Sequence, residues 1–128
     1  MYWKFKLITI RENYSNTITK AYRNSNVIKD FSLHINSIAE FSKENDSKLL
    51  FIVWPNLKDV TDSSGNIEII LSLLQNFNYV DLTDALKEIP DSKLCASELD
   101  AHPSKLVHKK VAVYIREYLQ KSNYFDFK

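Results

Sequence analysis

One glycine, one cysteine and three prolines are all that this chain of 128 residues contains of those types, and each scarcity excludes something. A loop that cradles phosphate brings several backbone N–H groups close to the ligand and needs several glycines to do so. With Gly65 alone, neither a G-x-G-x-x-G turn nor a P-loop exists here, and nucleotide-binding folds built on them fall away. Cys95, as the sole cysteine, permits neither an intrachain disulfide nor a thiolate metal cluster, which fits a reducing, cytoplasmic compartment. Charge of one sign is lacking as well. Seventeen Lys and Arg stand against 16 Asp and Glu, and with no basic block the chain has no electrostatic footprint for nucleic acid. No apolar run approaches the roughly 18 residues of a membrane span. The opening Met1–Ile10 carries Lys4 and Lys6 inside its apolar stretch and no small-residue cleavage site, which argues against a signal peptide.

What is present is an ordinary globular composition, 45% apolar and 26% charged, in one domain's length. Residues 1–26 form an N-terminal segment without a clear period, although Trp3, Phe5 and Leu7 alternate with Lys4 and Lys6 as a strand would. From Val27 to Glu44, Ile28, Phe31, Ile35, Ile38 and Ser42 recur at three and four residues. That spacing predicts an amphipathic helix, with Asn24, Ser25 or Asn26 as its cap. Leu49–Trp54 is a continuous apolar run closed by Pro55, the pattern of a parallel strand covered on both faces. Asn56–Asn66 reads as a polar loop, and Ile67, Ile70, Leu73, Leu74 and Phe77 mark a second helix. Tyr79–Leu82 reads as a short strand, with Thr83 capping a brief helix that stops before Pro90. Asp91–Pro103 reads as a long loop. Ser104 caps a last helix whose buried stripe is Val107, Val111, Ile115 and Tyr118 or Leu119, and residues 122–128 form a tail. The succession predicts an α/β fold with a parallel sheet. Ligands in such folds bind beyond the carboxyl ends of the strands, where the loops after Trp54 and Leu82 emerge.

The densest chemistry lies in Leu99-Asp100-Ala101-His102-Pro103-Ser104. A carboxylate two residues from an imidazole, with proline behind to stiffen the backbone, is an arrangement that orients a basic histidine for acyl transfer. A blander role, bracing the loop, competes for both residues. His108, one turn past Ser104, reads as structural, and His34 carries no assigned function. Ser63 and Ser64 are ordinary turn residues, Trp54-Pro55 a strand end, and Cys95 has no basic neighbour in sequence to lower its pKa. Asp100, His102 and His108 match no standard zinc spacing, so no metal or cofactor is assigned.

The Leu99–Ser104 block, followed by His108 and Val111-Ala112-Val113-Tyr114-Ile115, resembles the last block of the SGNH, or GDSL-type, hydrolases. The upstream order of helix, Lys48–Pro55 strand, loop, helix and Tyr79–Leu82 strand resembles it too, over roughly residues 27–121. The resemblance implies a three-layer α/β/α, flavodoxin-like fold, here incomplete. It also implies ester hydrolysis, with His102 as general base and Asp100 as its orienting carboxylate. In the commoner family spacing the aspartate stands three residues before the histidine, where this chain has Leu99, and Glu98 is a poorer substitute. The family's Gly-Asp-Ser and Gly-x-Asn-Asp blocks, which carry nucleophile and oxyanion hole, do not occur here. The expectation is therefore the C-terminal part of an esterase, lipase or carbohydrate O-deacetylase, inactive alone and acting on a small ester. A narrow sheet with exposed edges would pair with a complementing N-terminal fragment or with a second copy. The other reading is a noncatalytic binding or assembly module that retains the scaffold.

Overall fold

The computed structural model describes residues 16–61, 65–98, 100–122 and 124. The chain divides into two compact units, Met1–Leu49 and Leu50–Lys128. The strand-like pattern of residues 2–10, the hydroxyls of Ser63 and Ser64, and Leu99 lie outside the described residues.

In the first unit, residues 16–22 form helix α1, which closes as Asn24 N–H donates to Ala21 O at 3.0 Å. Asn24 then starts α2, Ser25–Glu44. Its side-chain oxygen accepts from Asn26 N at 3.0 Å and Val27 N at 3.4 Å, satisfying two of the N–H groups that a helix start leaves without partners. The helix is where its periodicity puts it, but its shielded face is turned. Ile35 is buried and Ile28, Ser32, Ala39 and Ser42 are half-buried, whereas Phe31 and Ile38 are exposed along with Val27, Leu33 and Phe41. The small residues Ser32 and Ala39 keep the heptad spacing of Ile28, Ile35 and Ser42, so they extend a seam that a search for large apolar residues passes over.

The second unit holds the sheet. Strand β1, Phe51–Val53, pairs in parallel with β2, Tyr79–Asp81, in the register Phe51–Tyr79, Ile52–Val80, Val53–Asp81. Phe51 N–H donates to Asn78 O at one end and Leu82 N–H to Val53 O at the other, while Phe51 and Phe77 meet edge to face at 5.6 Å. Between the strands, α3 (Asn66–Leu74) buries Ile67 and Leu74. The chain's one glycine, Gly65, stands at its N-terminus with φ +70°, a conformation that a side chain would strain. Asn56–Thr61 departs from the expected polar loop. Asn56 folds it back by accepting from Lys58 N and Asp59 N, and the turn drops Leu57 and Val60 into the core.

After β2 come α4 (Thr83–Leu86), α5 (Asp91–Leu94) and α6 (Lys105–Lys121). Two expectations need correction. Thr83 does not cap α4 with its hydroxyl; that hydroxyl donates to Asp81 Oδ1 at 2.7 Å, as Thr83 N–H does at 2.9 Å, so the aspartate at the end of β2 organises the turn. Asp91–Pro103 is not one loop either. Pro90 starts α5, Leu94 enters the core, and Cys95 forms an antiparallel bridge with Pro103. The core of the unit comprises Leu57, Val60, Val80, Leu82, Leu86, Ile89, Leu94, Cys95, Val107 and Val111, with Leu50, Tyr114, Ile115 and Tyr118 packed against it. Each fully buried Leu or Val adds about 1.5–3 kcal/mol of apolar transfer, which holds α6 against α4 and α5.

One face of the sheet is unevenly covered. Val80 is 3% exposed, yet its register partner Ile52, on the same face of β1, is 42% exposed. The Leu49–Trp54 run was expected to be covered on both sides; over β1 the cover is incomplete. The described structure is a mixed α/β protein with a two-stranded parallel sheet, and none of its helices is long and apolar enough to cross a membrane.

Candidate active site

The loop leading into α6 is closed by backbone bonds before any side chain contributes. Ala96 N–H donates to His102 O at 2.8 Å and Ser104 N–H to Leu94 O at 2.9 Å, flanking the Cys95–Pro103 bridge. Ser104 adds a double tie: its hydroxyl donates to Lys93 O at 2.6 Å and accepts from Val107 N at 3.3 Å, joining α5 to the first turn of α6. The serine expected to cap the last helix does so and also anchors the loop. Inside, Asp100 N–H donates to Ser97 Oγ at 3.0 Å.

On this frame the Asp-x-His spacing acquires its geometry. Asp100 Oδ1 accepts from His102 N–H at 3.0 Å and lies 2.5 Å from His102 Nδ1. The first bond is the local turn an aspartate makes with the backbone two residues on, and it brings the same oxygen to the ring. An ionised carboxylate only accepts, so the proton of the neutral ring sits on Nδ1 and the lone pair on Nε2. His102 therefore presents a basic nitrogen outward, with its side chain 87% exposed.

Both bonds to His102, the backbone N–H first and the ring second, favour the ionised form of Asp100 and hold its carboxyl below its ordinary 3.8. A lowered pKa means the group binds fewer protons folded than unfolded near that pH. Its contribution to loop stability is fully present above the ordinary carboxylate value and is lost as pH falls through the lowered one. A titration of the Asp100 side-chain carbon by NMR should show a midpoint under that of a free aspartate, and His102→Ala, which removes the ring and keeps the backbone N–H, should move it only part of the way back up. An unshifted midpoint would contradict the bonded loop.

The dyad stands in the loop just ahead of α6. Trp54, the residue after β1, meets the ring of His108 at 6.4 Å between centroids and a 53° tilt, which sets the first turns of α6 beside the end of that strand. His108 is thus a ring contact of Trp54 and has no bond to the dyad. Asp81 is engaged with Thr83. Cys95 is buried in the core, which removes it as a nucleophile, and His34 is exposed on α2. Among the described residues no hydroxyl or thiol bonds to His102 Nε2, and no three His, Cys, Asp or Glu side chains converge as a metal site. The tie from Ser104 back to Lys93 escaped the sequence, because a serine's partner eleven residues away has no local signature. No protein-family model, curated protein or solved structure matches this chain.

Proposed function

We propose that this chain carries the acid–base part of a serine ester hydrolase of the SGNH kind, completed by a polypeptide segment that supplies the nucleophile and the oxyanion hole. The observation that carries the reading is the single contact between Asp100 Oδ1 and His102 Nδ1 at the head of the last helix, which leaves Nε2 as an open base. The mixed α/β unit with parallel strands is compatible with the C-terminal part of a three-layer, flavodoxin-like sheet.

In that reaction the serine Oγ attacks the ester carbonyl as His102 Nε2 takes its proton. Asp100 stabilises the imidazolium, which then protonates the departing alkoxide to leave an acyl-enzyme. Water attacks in the second half through the same base. Backbone donors for the oxyanion, each worth about 10²–10³-fold, must come from the completing segment. A second reading, a noncatalytic module on this scaffold, is favoured by the exposure of His102 and by the lack of a hydroxyl partner among the described residues.

Turnover of p-nitrophenyl acetate separates the two. The chain is expressed with its natural upstream coding sequence, and fluorophosphonate labelling reports a reactive serine. Hydrolysis should require that upstream sequence and fall by at least about 10³-fold in His102→Ala. Equal turnover by wild type and His102→Ala, or no labelling and no turnover at all, would favour the noncatalytic module.

A further inference from the structure

A cavity of about 150 Å³ lies between two segments that leave the carboxyl ends of the parallel strands, residues 54–61 after β1 and residues 82–94 after β2. Open α/β sheets bind ligands in this position, because the two departing segments can line one crevice from both sides. The buried side chains of Val60, Leu86, Ile89 and Leu94 give the cavity an apolar floor. Its rim is charged. Lys58 and Asp59 come from the turn that Asn56 organises, and Lys87 and Asp91 come from the α4–α5 corner. Two positive and two negative side chains cancel, so the rim does not draw in a ligand of high net charge such as a phosphate ester. Half of that charge is already engaged: Lys87 Nζ pairs with Asp84 Oδ1 at 2.7 Å, and Asp59 Oδ1 accepts from the Thr61 hydroxyl at 3.3 Å. Lys58 and Asp91 are left. Among the described residues neither side chain has a bonding partner, and the two do not pair with each other although both line the cavity.

We infer that this cavity is a binding site for a small zwitterion, an α-amino acid with a short aliphatic side chain. Its carboxylate meets Lys58, its ammonium meets Asp91, and its aliphatic group lies on Leu86, Ile89 and Leu94. A ligand with one charge would engage one end of the rim and leave the other to water. The volume sets the size: a cavity of about 150 Å³ holds a molecule on the scale of benzene, about six heavy atoms, which is the count of alanine. Asp100 and His102 do not line the cavity, so the site is independent of the hydrolase reading.

The test is an amide NMR titration of the full chain with three probes: L-alanine, propionate, which lacks the ammonium, and ethylamine, which lacks the carboxylate. L-Alanine should shift the amides of Leu86, Ile89 and Leu94 saturably, with half-saturation at about 1 mM, within what so few atoms can supply. Propionate and ethylamine should each need roughly threefold more, the worth of one exposed ion pair. Lys58→Gln and Asp91→Asn should each weaken L-alanine by roughly threefold, and the double variant by roughly tenfold. Both side chains are exposed, so melting should match wild type, and Lys109→Gln, exposed on α6, should leave binding unchanged. No saturable shift at these amides would overturn the site. Propionate or ethylamine binding as tightly as L-alanine would overturn the zwitterion, and so would L-alanine binding undiminished in the double variant.

Discussion

Leu86→Ala should lower the unfolding free energy of the unit Leu50–Lys128 by about 2–5 kcal/mol. Leu86 is fully buried at the end of a four-residue helix, between the turn built by Asp81 and the packed face of α6. A helix that short has no stability of its own and is held by what its side chains bury. Removing three carbons leaves a cavity whose walls are strand, α5 and α6 residues that cannot all move inward together, so the cost is expected in the upper part of the range. The check is urea unfolding followed by circular dichroism, with a lower midpoint and an unchanged slope. A midpoint within error of wild type would show that α4 is not part of the cooperative core.

The same short elements explain what the sequence could and could not disclose. Where an element is long, its period identified it: α2 and α6 were both expected, with Ser104 as the cap of α6 and Asn24 one of three candidates for α2. Both strands are short, but their apolar runs stand out between polar stretches and placed them within two residues. Failure came where partners are distant in sequence. Asp91–Leu94 is too brief to show a period and reads as loop, yet Leu94 is buried against α6, and Ser104 reaches back to Lys93 to fix it. Leu57 and Val60 looked like stray apolar residues in a polar loop because their burial depends on the turn at Asn56. The face of α2 was misplaced because Ser32 and Ala39 count as small spacers in the structure and as polar or neutral residues in a pattern. Local chemistry was more legible than packing: Asp100 and His102 were picked from a six-residue motif, and their contact is made within that motif.

That locality bears on what the loop is for. A brace needs only the bond from His102 N–H to Asp100, which any residue at position 102 but proline could supply. The second bond, to Nδ1, adds nothing to the closure of the loop, which the backbone bonds at Ala96 and Ser104 already secure. Its effect is on the ring: it selects the tautomer that leaves the lone pair on Nε2. An exposed histidine whose tautomer is set in this way is what the proposed hydrolase requires of its base.

Asp100→Asn should therefore separate orientation from structure, with the largest catalytic effect expected short of deleting His102. The amide oxygen can still accept from His102 N–H, so the turn and the fold are retained, and melting should match wild type. The negative charge is gone, and the amide can equally present its NH2 to Nδ1. The neutral ring then takes the Nε2–H form, which has no lone pair to receive the serine proton. In the completed hydrolase kcat should fall by up to about 10⁴-fold with little change in KM, whereas Asp100→Ala should match that loss and also loosen the loop. The isolated chain is enough for the tautomer itself. Nitrogen chemical shifts of His102 should report Nδ1–H in wild type and mainly Nε2–H in Asp100→Asn at a pH where the ring is neutral. A wild-type ring already in the Nε2–H form would mean that Asp100 does not direct His102, and the dyad would be reduced to a loop contact.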